Sequence, residues 1–165
     1  MAQASEREDL ISEIRIAFHG VSRGNGVTLH EARAIDDYKS EPERKNARKL
    51  DKDNSWDEVP DADIEHYYDV FSFFDVEGFR YYLPAYMIWA IKHFEVSESC
   101  SSDNVIYVLT RSTILIERDT QAFNSFNPAQ CRAICHFLKF MVSNPMFADA
   151  DAAKEALDEY WGEFC

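Results

Sequence analysis

Glycine, proline and cysteine are scarce in this sequence of 165 residues, which holds five, five and four of them respectively. So few glycines and prolines exclude a collagen-like or loop-dominated chain. No apolar run reaches the roughly 18 residues of a membrane span, because charged residues interrupt the best candidate at Lys92 and Glu95. The first residues also lack the basic-then-apolar pattern of a signal peptide. We therefore predict a soluble protein with no membrane partner.

Basic residues are few as well. The sequence has 17 lysines and arginines against 30 aspartates and glutamates, a formal net charge of -13. This charge repels the phosphates of nucleic acids and of anionic lipids, so neither is an expected partner. It favours a basic protein partner instead. The alternative, that the surface is acidic as in many cytosolic proteins without a basic partner, stays open.

The four cysteines predict thiols rather than a metal or redox site. Cys131 and Cys135 are one helical turn apart within an apolar run, which predicts two small buried side chains on one helix face. Their spacing is not that of a CxxC pair, and Cys100 and Cys165 stand far from them. We predict a reduced protein in the cytoplasm.

Residue types that carry catalysis are present but scattered. The five histidines show neither the HExxH spacing nor the Glu-x-x-His pairs of metal sites. No Gly-x-Ser-x-Gly elbow, Walker sequence or dinucleotide fingerprint occurs. The segment from Asp51 to Asp53 lacks the glycine and the terminal glutamate of a calcium loop. We therefore predict no metal, no cofactor and no catalytic residue.

Apolar side chains recur at helical spacing along most of the chain. Two capping boxes, Ser5 with Glu8 and Thr28 with Glu31, predict helices over about residues 5–19 and 29–40. The Asn127-Pro128 pair predicts the start of the most buried helix, which runs to Val142.

The densest aromatic stretch is residues 71–94, FSFFDVEGFRYYLPAYMIWAIKHF. Its two aromatic runs flank Asp75-Val-Glu-Gly78, which predicts a short hairpin with a positive φ at Gly78. A helix is then expected to start at Pro84.

Residues 112–118 favour a further strand, because Thr113, Ile114 and Ile116 are β-branched. The expected fold is one compact, mostly α domain over residues 1–165 with a small β element near its middle. An α+β fold is the alternative.

The polar residues of the aromatic block are the candidate site. Two carboxylates, Asp75 and Glu77, stand close to Arg80, and such a trio can bind a ligand or raise the pKa of one carboxyl. In the alternative, structural interpretation, Asp75 closes the turn and Arg80 forms a bidentate pair with Asp51 or Asp57. We favour the structural interpretation, because the spacing matches no catalytic constellation.

This block resembles the core motif of a bacterial family known only as a domain of unknown function, F-x-D-x-E-G-F-R-[FY]-Y-L-P-A-[YF]-M. The resemblance implies a bacterial, soluble, single-domain protein and assigns no activity. The matching residues are Phe73-Phe-Asp75 and Glu77-Gly-Phe-Arg-Tyr-Tyr-Leu-Pro-Ala-Tyr-Met87, with further similarity at Ala17-Phe18, the Gly24–Thr28 loop, Ala47-Arg48…Asp51…Trp56 and Gln130…Phe137-Leu138.

The Tyr82–Ala85 core is also similar to segments of small immunity-type proteins near bacterial toxin loci. A chain of net charge -13 can cover a cationic toxin face. We therefore expect a non-enzymatic protein-binding module, immunity-like and directed at a basic partner, that is a monomer or a homodimer. The alternative is a small hydrolase or ligand-binding enzyme using Asp75, Glu77 and Arg80. The expected binding residues are Trp56, Asp75, Glu77, Arg80 and Tyr82.

Overall fold

The computed structural model of the protein describes residues 2–110 and 117–165, with side chains over 5–110 and 120–165. All regular secondary structure in these ranges is helical, so the mostly α prediction is confirmed and the small β element is wrong. Three short 3-10 helices, Trp56–Glu58, Val70–Phe73 and Trp161–Phe164, accompany the α-helices. The α-helices are α1 Ala2–Ala17, α2 Leu29–Asp36, α3 Glu41–Arg48, α4 Asp61–His66, α5 Val76–His93, α6 Ser101–Tyr107, α7 Glu117–Asn124, α8 Pro128–Val142 and α9 Ala150–Glu159.

Two helical elements replace the predicted hairpin, since its first aromatic run lies in the 3-10 helix Val70–Phe73 and its second run lies in α5. Asp75 is the N-cap of this helix, and its side chain accepts a hydrogen bond from the amide of Gly78 at 2.8 Å. Gly78 itself is helical and has no positive φ. Nearly every residue from Gly78 to Ile91 is buried. A helix buried on all sides shows no polar face, so its sequence loses the helical period and its aromatic start looks like a strand.

Pro84 lies inside α5 rather than at a helix start, which corrects the second prediction for this segment. The predicted strand over 112–118 falls mostly on residues 111–116, outside the described residues. Its last two positions, 117 and 118, begin helix α7.

Helix α5 is the centre of the fold. Helices α1, α4, α6 and α7 and the 3-10 helix at Trp56 all pack on it, and α8 packs between α1 and α9. Aromatic rings interlock at its amino-terminal half, where Phe74 stacks on Tyr82 at 4.8 Å and Phe71 meets Tyr86 edge-on at 4.7 Å. This packing holds the amino-terminal half of α5 against the segment over residues 70–74.

Several predicted helix ends are confirmed. Thr28 and Asn127 both form complete capping boxes, and α8 is heavily buried. The predicted helix start at Ser5 is wrong, because α1 already begins at Ala2 and Ser5 lies inside it. The cysteines differ too: the structure joins Cys135 to Cys165 in a disulfide, where reduced thiols were predicted. Cys131 is buried and free, and Cys100 is exposed and free.

Candidate functional site

Two regions of the structure gather polar side chains, and the first lies where the amino end of α5 meets the loop over residues 20–28. The carboxylate of Asp75 accepts hydrogen bonds from the amide of Gly78 at 2.8 Å and from the amide of Val27 at 3.0 Å. Both bonds go to backbone groups, one in the helix and one in the loop. Asp75 therefore fastens the loop to the start of α5.

Glycine makes this contact possible. A Cβ atom on Gly78 would lie 2.6 Å from the carbonyl oxygen of Val27, and one on Gly26 would lie 2.7 Å from the amide nitrogen of Gly78. These are backbone atoms that cannot rotate aside. The loop and the helix thus approach each other more closely than any side chain would allow.

Behind this contact is a network built on Asp53. Arg23 donates to the Asp53 carboxylate at 2.7 Å, and the hydroxyl of Tyr81 donates to the same oxygen at 2.7 Å. The hydroxyl of Tyr82 accepts from Arg23 at 3.0 Å and from the amide of Leu29 at 3.1 Å. Burial raises the pKa of both tyrosines far above the ordinary range, so both phenols stay neutral.

A second carboxylate, Asp51, holds His30. The Asp51 side chain accepts from the His30 amide at 3.1 Å and lies 2.8 Å from the Nδ1 atom of the ring. This hydrogen bond raises the pKa of His30 above its usual value, although partial burial opposes the shift. Arg48 completes the network by donating to Glu31 at 2.8 Å and to the carbonyl of Gly26 at 2.7 Å. We call these residues, with Asp75, the polar cluster: Arg23, His30, Glu31, Arg48, Asp51, Asp53, Asp75, Tyr81 and Tyr82.

The contacts of the polar cluster are internal to the fold and hold its segments together. The side chains of Asp51 and Asp53 are 3% and 4% exposed, and each is bound by a cationic or ring nitrogen as well as by a further donor. Buried carboxylates held by several donors within the fold stabilise one conformation rather than attack a substrate. The most chemically versatile member is His30, whose half-buried ring is oriented by Asp51 and can exchange a proton with solvent.

The expected binding residues have these positions. Trp56 is buried, and its indole N–H donates to the carbonyl of Phe18 at 2.9 Å. Glu77 is exposed beside Gly24 and Gly26. Tyr82 and Asp75 belong to the polar cluster. None of these contacts tests a binding role, which remains a prediction.

Arg80 does not form the pair that the structural interpretation predicted. It is half-buried, and its Nε atom has no hydrogen-bond partner. Asp51 is held by His30 and Asp57 accepts from Ser55, and no carboxylate whose side chain is described is paired with Arg80. Asp75, Glu77 and Arg80 are thus not joined to one another by ion pairs in the described part of the chain.

The second region is a groove between α1 and α8 with a volume of about 600 Å³. Its apolar lining comes from Leu10 and Phe140, and the ring of Phe140 also lies 6.0 Å from the guanidinium of Arg7. A further depression of about 380 Å³ shares Asp9 and Glu13 with the groove and ends at Ile16, which is 76% exposed. We call the two together the α1–α8 groove. Its lining residues are Ser5, Glu6, Asp9, Leu10, Ser12, Glu13, Ile16, Ala17, Ala129, Arg132, His136, Lys139, Phe140 and Ser143.

Charges line the groove on both sides. Glu6, Asp9 and Glu13 follow one another along α1, and Glu13 is bound across the groove by His136 at 2.9 Å. Glu6 and Asp9 are exposed, and neither forms an ion pair with another residue whose side chain is described. On the α8 side, Lys139 also has no such pair within that part of the chain. The α1 wall therefore presents free negative charge next to apolar surface.

Neither a metal-binding group nor a membrane-spanning helix is found among the described residues. No three histidine, cysteine, aspartate or glutamate side chains there are grouped for a metal ion. None of the helices over the same residues is both long and apolar enough to cross a bilayer.

Comparison with known proteins places the chain in a family. A family of unknown function, DUF6714, matches residues 6–164. The chain belongs to DUF6714. No curated protein and no solved structure matches it.

The segments that suggested a family resemblance meet in this DUF6714 fold. The loop over residues 20–28, the stretch over 47–56 and the start of α5 together build the polar cluster. The remaining segment, over 130–138, lies in α8 and contributes His136 to the groove. The match to DUF6714 does not itself test the motif or a bacterial origin, and both remain predictions.

Sequence reasoning missed Arg23, His30 and Asp53 as members of one site. Asp51 and Asp53 do not fit a calcium loop, and the sequence suggests Asp51 as a partner of Arg80 but neither as a partner of Arg23 or His30. Their partners stand 21 to 30 residues away along the chain, and Tyr82 is 59 residues from Arg23. The Gly24-Asn-Gly26 pattern in the sequence indicates a turn, but not which side chains that turn brings together.

Proposed function

We propose that this DUF6714 chain is a protein-binding module that takes a basic, helical segment of a partner protein into the α1–α8 groove. The observation that carries the proposal is the acidic row of α1 beside apolar surface, in which Glu6 and Asp9 form no ion pair with a described side chain and Glu13 is bound by His136. The polar cluster has no comparable free charge, because its carboxylates are bound internally.

The shape of the groove suits a side chain of a partner rather than a flat contact. A volume of about 600 Å³ lies within the range of pockets that enclose a ligand. The floor at Leu10 and Phe140 offers an apolar contact for one anchoring side chain. The extension towards Ile16 offers a second apolar contact farther along α1. Apolar anchors in such grooves supply most of the binding free energy at protein interfaces.

The negative charge along α1 favours a partner with positively charged side chains. Glu6, Asp9 and Glu13 are three and four residues apart and extend over roughly 10 Å of helix. Lysines or arginines at similar spacing on a partner helix would face them, with an apolar side chain between. The net charge of -13 adds a long-range attraction for such a segment. We also propose a bacterial, cytoplasmic setting, in which a cationic toxin is a partner of the right chemistry.

A synthetic peptide tests this proposal directly. The probe is a 14-residue amphipathic helix with lysines on one face and leucines on the other, and the control peptide carries glutamates in place of the lysines. We expect the lysine peptide to bind and to shift amide resonances of α1 and α8 selectively. The double variant Glu6→Lys/Asp9→Lys should weaken its binding about tenfold or more, because two attractive charges become repulsive.

The matched control is Glu8→Lys/Glu155→Lys, which changes net charge equally at exposed sites outside the groove. We expect it to weaken binding less than threefold. Equal weakening by both double variants would show mere charge attraction and overturn the groove as the site. Stronger loss in Glu77→Lys than in Glu6→Lys/Asp9→Lys would place the partner on the predicted binding residues instead. Binding of the glutamate peptide as tightly as the lysine peptide would contradict the proposed partner chemistry.

A further inference from the structure

The Cys135–Cys165 disulfide joins two elements that differ sharply in exposure. Cys135 is fully buried in α8, whereas Cys165 follows the 3-10 helix Trp161–Phe164 and is exposed. The Cα atoms of the pair are 5.8 Å apart, within the usual range for a disulfide. One sulfur of the bond therefore belongs to an accessible residue while the other belongs to the core.

The segment held by this bond also has non-covalent contacts. Trp161 is fully buried, and its indole N–H donates to the carbonyl of Leu109 at 2.8 Å. Its ring centroid lies 4.8 Å from that of Phe123. Opening the disulfide would leave these contacts in place. The bond is thus an additional restraint on a segment that already has its own anchor.

We propose that Cys135–Cys165 is a reversible thiol oxidation site whose reactant is a small thiol or dithiol reductant. A thiolate of the reductant attacks the sulfur of Cys165, because that residue is exposed. The sulfur–sulfur bond breaks, and the departing Cys135 thiolate takes up a proton. A second thiolate of the reductant attacks the mixed disulfide and releases Cys165 as a thiolate, which also takes up a proton. The protein disulfide gains two electrons and the reductant leaves as its disulfide.

The remaining cysteines do not compete for this exchange. Cys131 lies one turn from Cys135 on α8, but it is buried, and burial raises the pKa of its thiol. A thiol of raised pKa is a poor nucleophile near neutral pH. Cys100 is exposed but lies at the start of α6, separate from the pair. The exchange is therefore confined to one pair, whose two states differ in a single cross-link.

This inference is independent of the proposed binding function and reconciles two findings. Cysteine spacing predicted thiols in a reducing cytoplasm, whereas the structure contains a bond. A pair with one accessible partner can respond to the surrounding thiol pool in either direction. The cross-link spans 30 residues, so its loss releases conformational entropy to the unfolded chain and lowers the melting temperature.

The test combines thiol trapping with thermal unfolding of the full chain. The folded protein is equilibrated in glutathione buffers of graded redox potential, and exchange is quenched with acid. Free thiols are then alkylated in denaturant, so that the buried Cys135 is also reached, and mass spectrometry identifies the modified cysteines. We expect Cys135 and Cys165 to become alkylated together as the buffer becomes more reducing, and to be protected again on reoxidation. The reduced protein should melt roughly 7–14 °C below the oxidised protein while it remains folded.

Two variants make the result decisive. Cys165→Ser should melt at the temperature of the reduced protein in every buffer, whereas Cys100→Ser should keep the full difference between oxidised and reduced states. The proposal is overturned if oxidised glutathione forms no bond between Cys135 and Cys165 in the folded protein. It is equally overturned if millimolar dithiothreitol fails to open the bond without unfolding, or if both redox states of the wild type melt at the same temperature.

Discussion

The polar cluster and the α1–α8 groove use charge in opposite ways. In the cluster, Asp53 is almost fully buried and is held by Arg23 and Tyr81. In the groove, Glu6 and Asp9 lie in solvent beside apolar surface, with no ion pair to another side chain in the described ranges. Buried charge that is paired within the fold specifies one conformation, whereas exposed free charge leaves attraction available to another molecule. The comparison separates residues that build this fold from residues that can act on a partner.

The largest effect is expected from Asp53→Ala. This change leaves the guanidinium of Arg23 and the hydroxyl of Tyr81 without their shared acceptor in a poorly hydrated place. Breaking a buried ion pair from one side costs about 3–5 kcal/mol of unfolding free energy. Urea unfolding followed by circular dichroism measures it, with Glu8→Ala on the exposed face of α1 as the control. A loss below about 1 kcal/mol would mean that the cluster does not brace the fold.

A smaller loss is expected from Gly78→Ala. In most helical positions alanine stabilises a protein relative to glycine. Here the new methyl group would meet the carbonyl oxygen of Val27 at 2.6 Å, so we expect a loss of about 1–3 kcal/mol instead. The sign of the change is the measurement that matters, again from urea unfolding. A more stable variant would show that the loop over residues 20–28 is free to move away from α5.

The smallest effect concerns His30 and pH. The His30 ring holds its proton more tightly in the folded protein than in the unfolded chain, because the Asp51 hydrogen bond raises the pKa of His30. The resulting stability is complete below the unfolded pKa of about 6.5 and declines as pH rises through the higher folded pKa. Unfolding free energies of wild type and His30→Gln, compared from pH 5 to pH 9, should therefore converge at alkaline pH. A difference that grows with pH would reverse the assigned direction.

Local sequence signals predicted part of the fold well. The capping boxes at Thr28 and Asn127 act within four residues, so their pattern is visible without any tertiary contact. The burial of α8 followed from its wide apolar arc in the same way. These features depend on neighbours along the chain, and the structure confirms them.

The hairpin prediction failed because tertiary burial overrode the local pattern. The residues of α5 are rich in tyrosine and phenylalanine, which favour strands, and Gly78 and Pro84 favour turns. In the folded protein the same aromatic residues surround a helix that other helices cover on every side. Gly78 is needed because the backbone of Val27 approaches it closely, whereas the sequence pattern suggested a glycine that forms a turn.

The polar cluster and the disulfide could not be predicted for a different reason. Tyr81 and Asp53 are 28 residues apart, and Cys135 and Cys165 are 30 apart, with no spacing rule that links either pair. Cys131 lies one turn from Cys135 on the same helix, and this spacing predicted two buried thiols rather than a bond between Cys135 and Cys165. Contacts of this kind become visible only when helices are placed together.

Pro84 lies in the middle of the central helix and removes one of its backbone hydrogen bonds. Because proline carries no N–H, the carbonyl of Arg80 loses its donor four residues on, and the ladder of α5 is interrupted there. Tyr81 and Tyr82, which belong to the polar cluster, lie before Pro84, and the turns ending at His93 lie after it. The helix stays continuous from Val76 to His93, because the packing around it outweighs the loss of one backbone hydrogen bond in its middle.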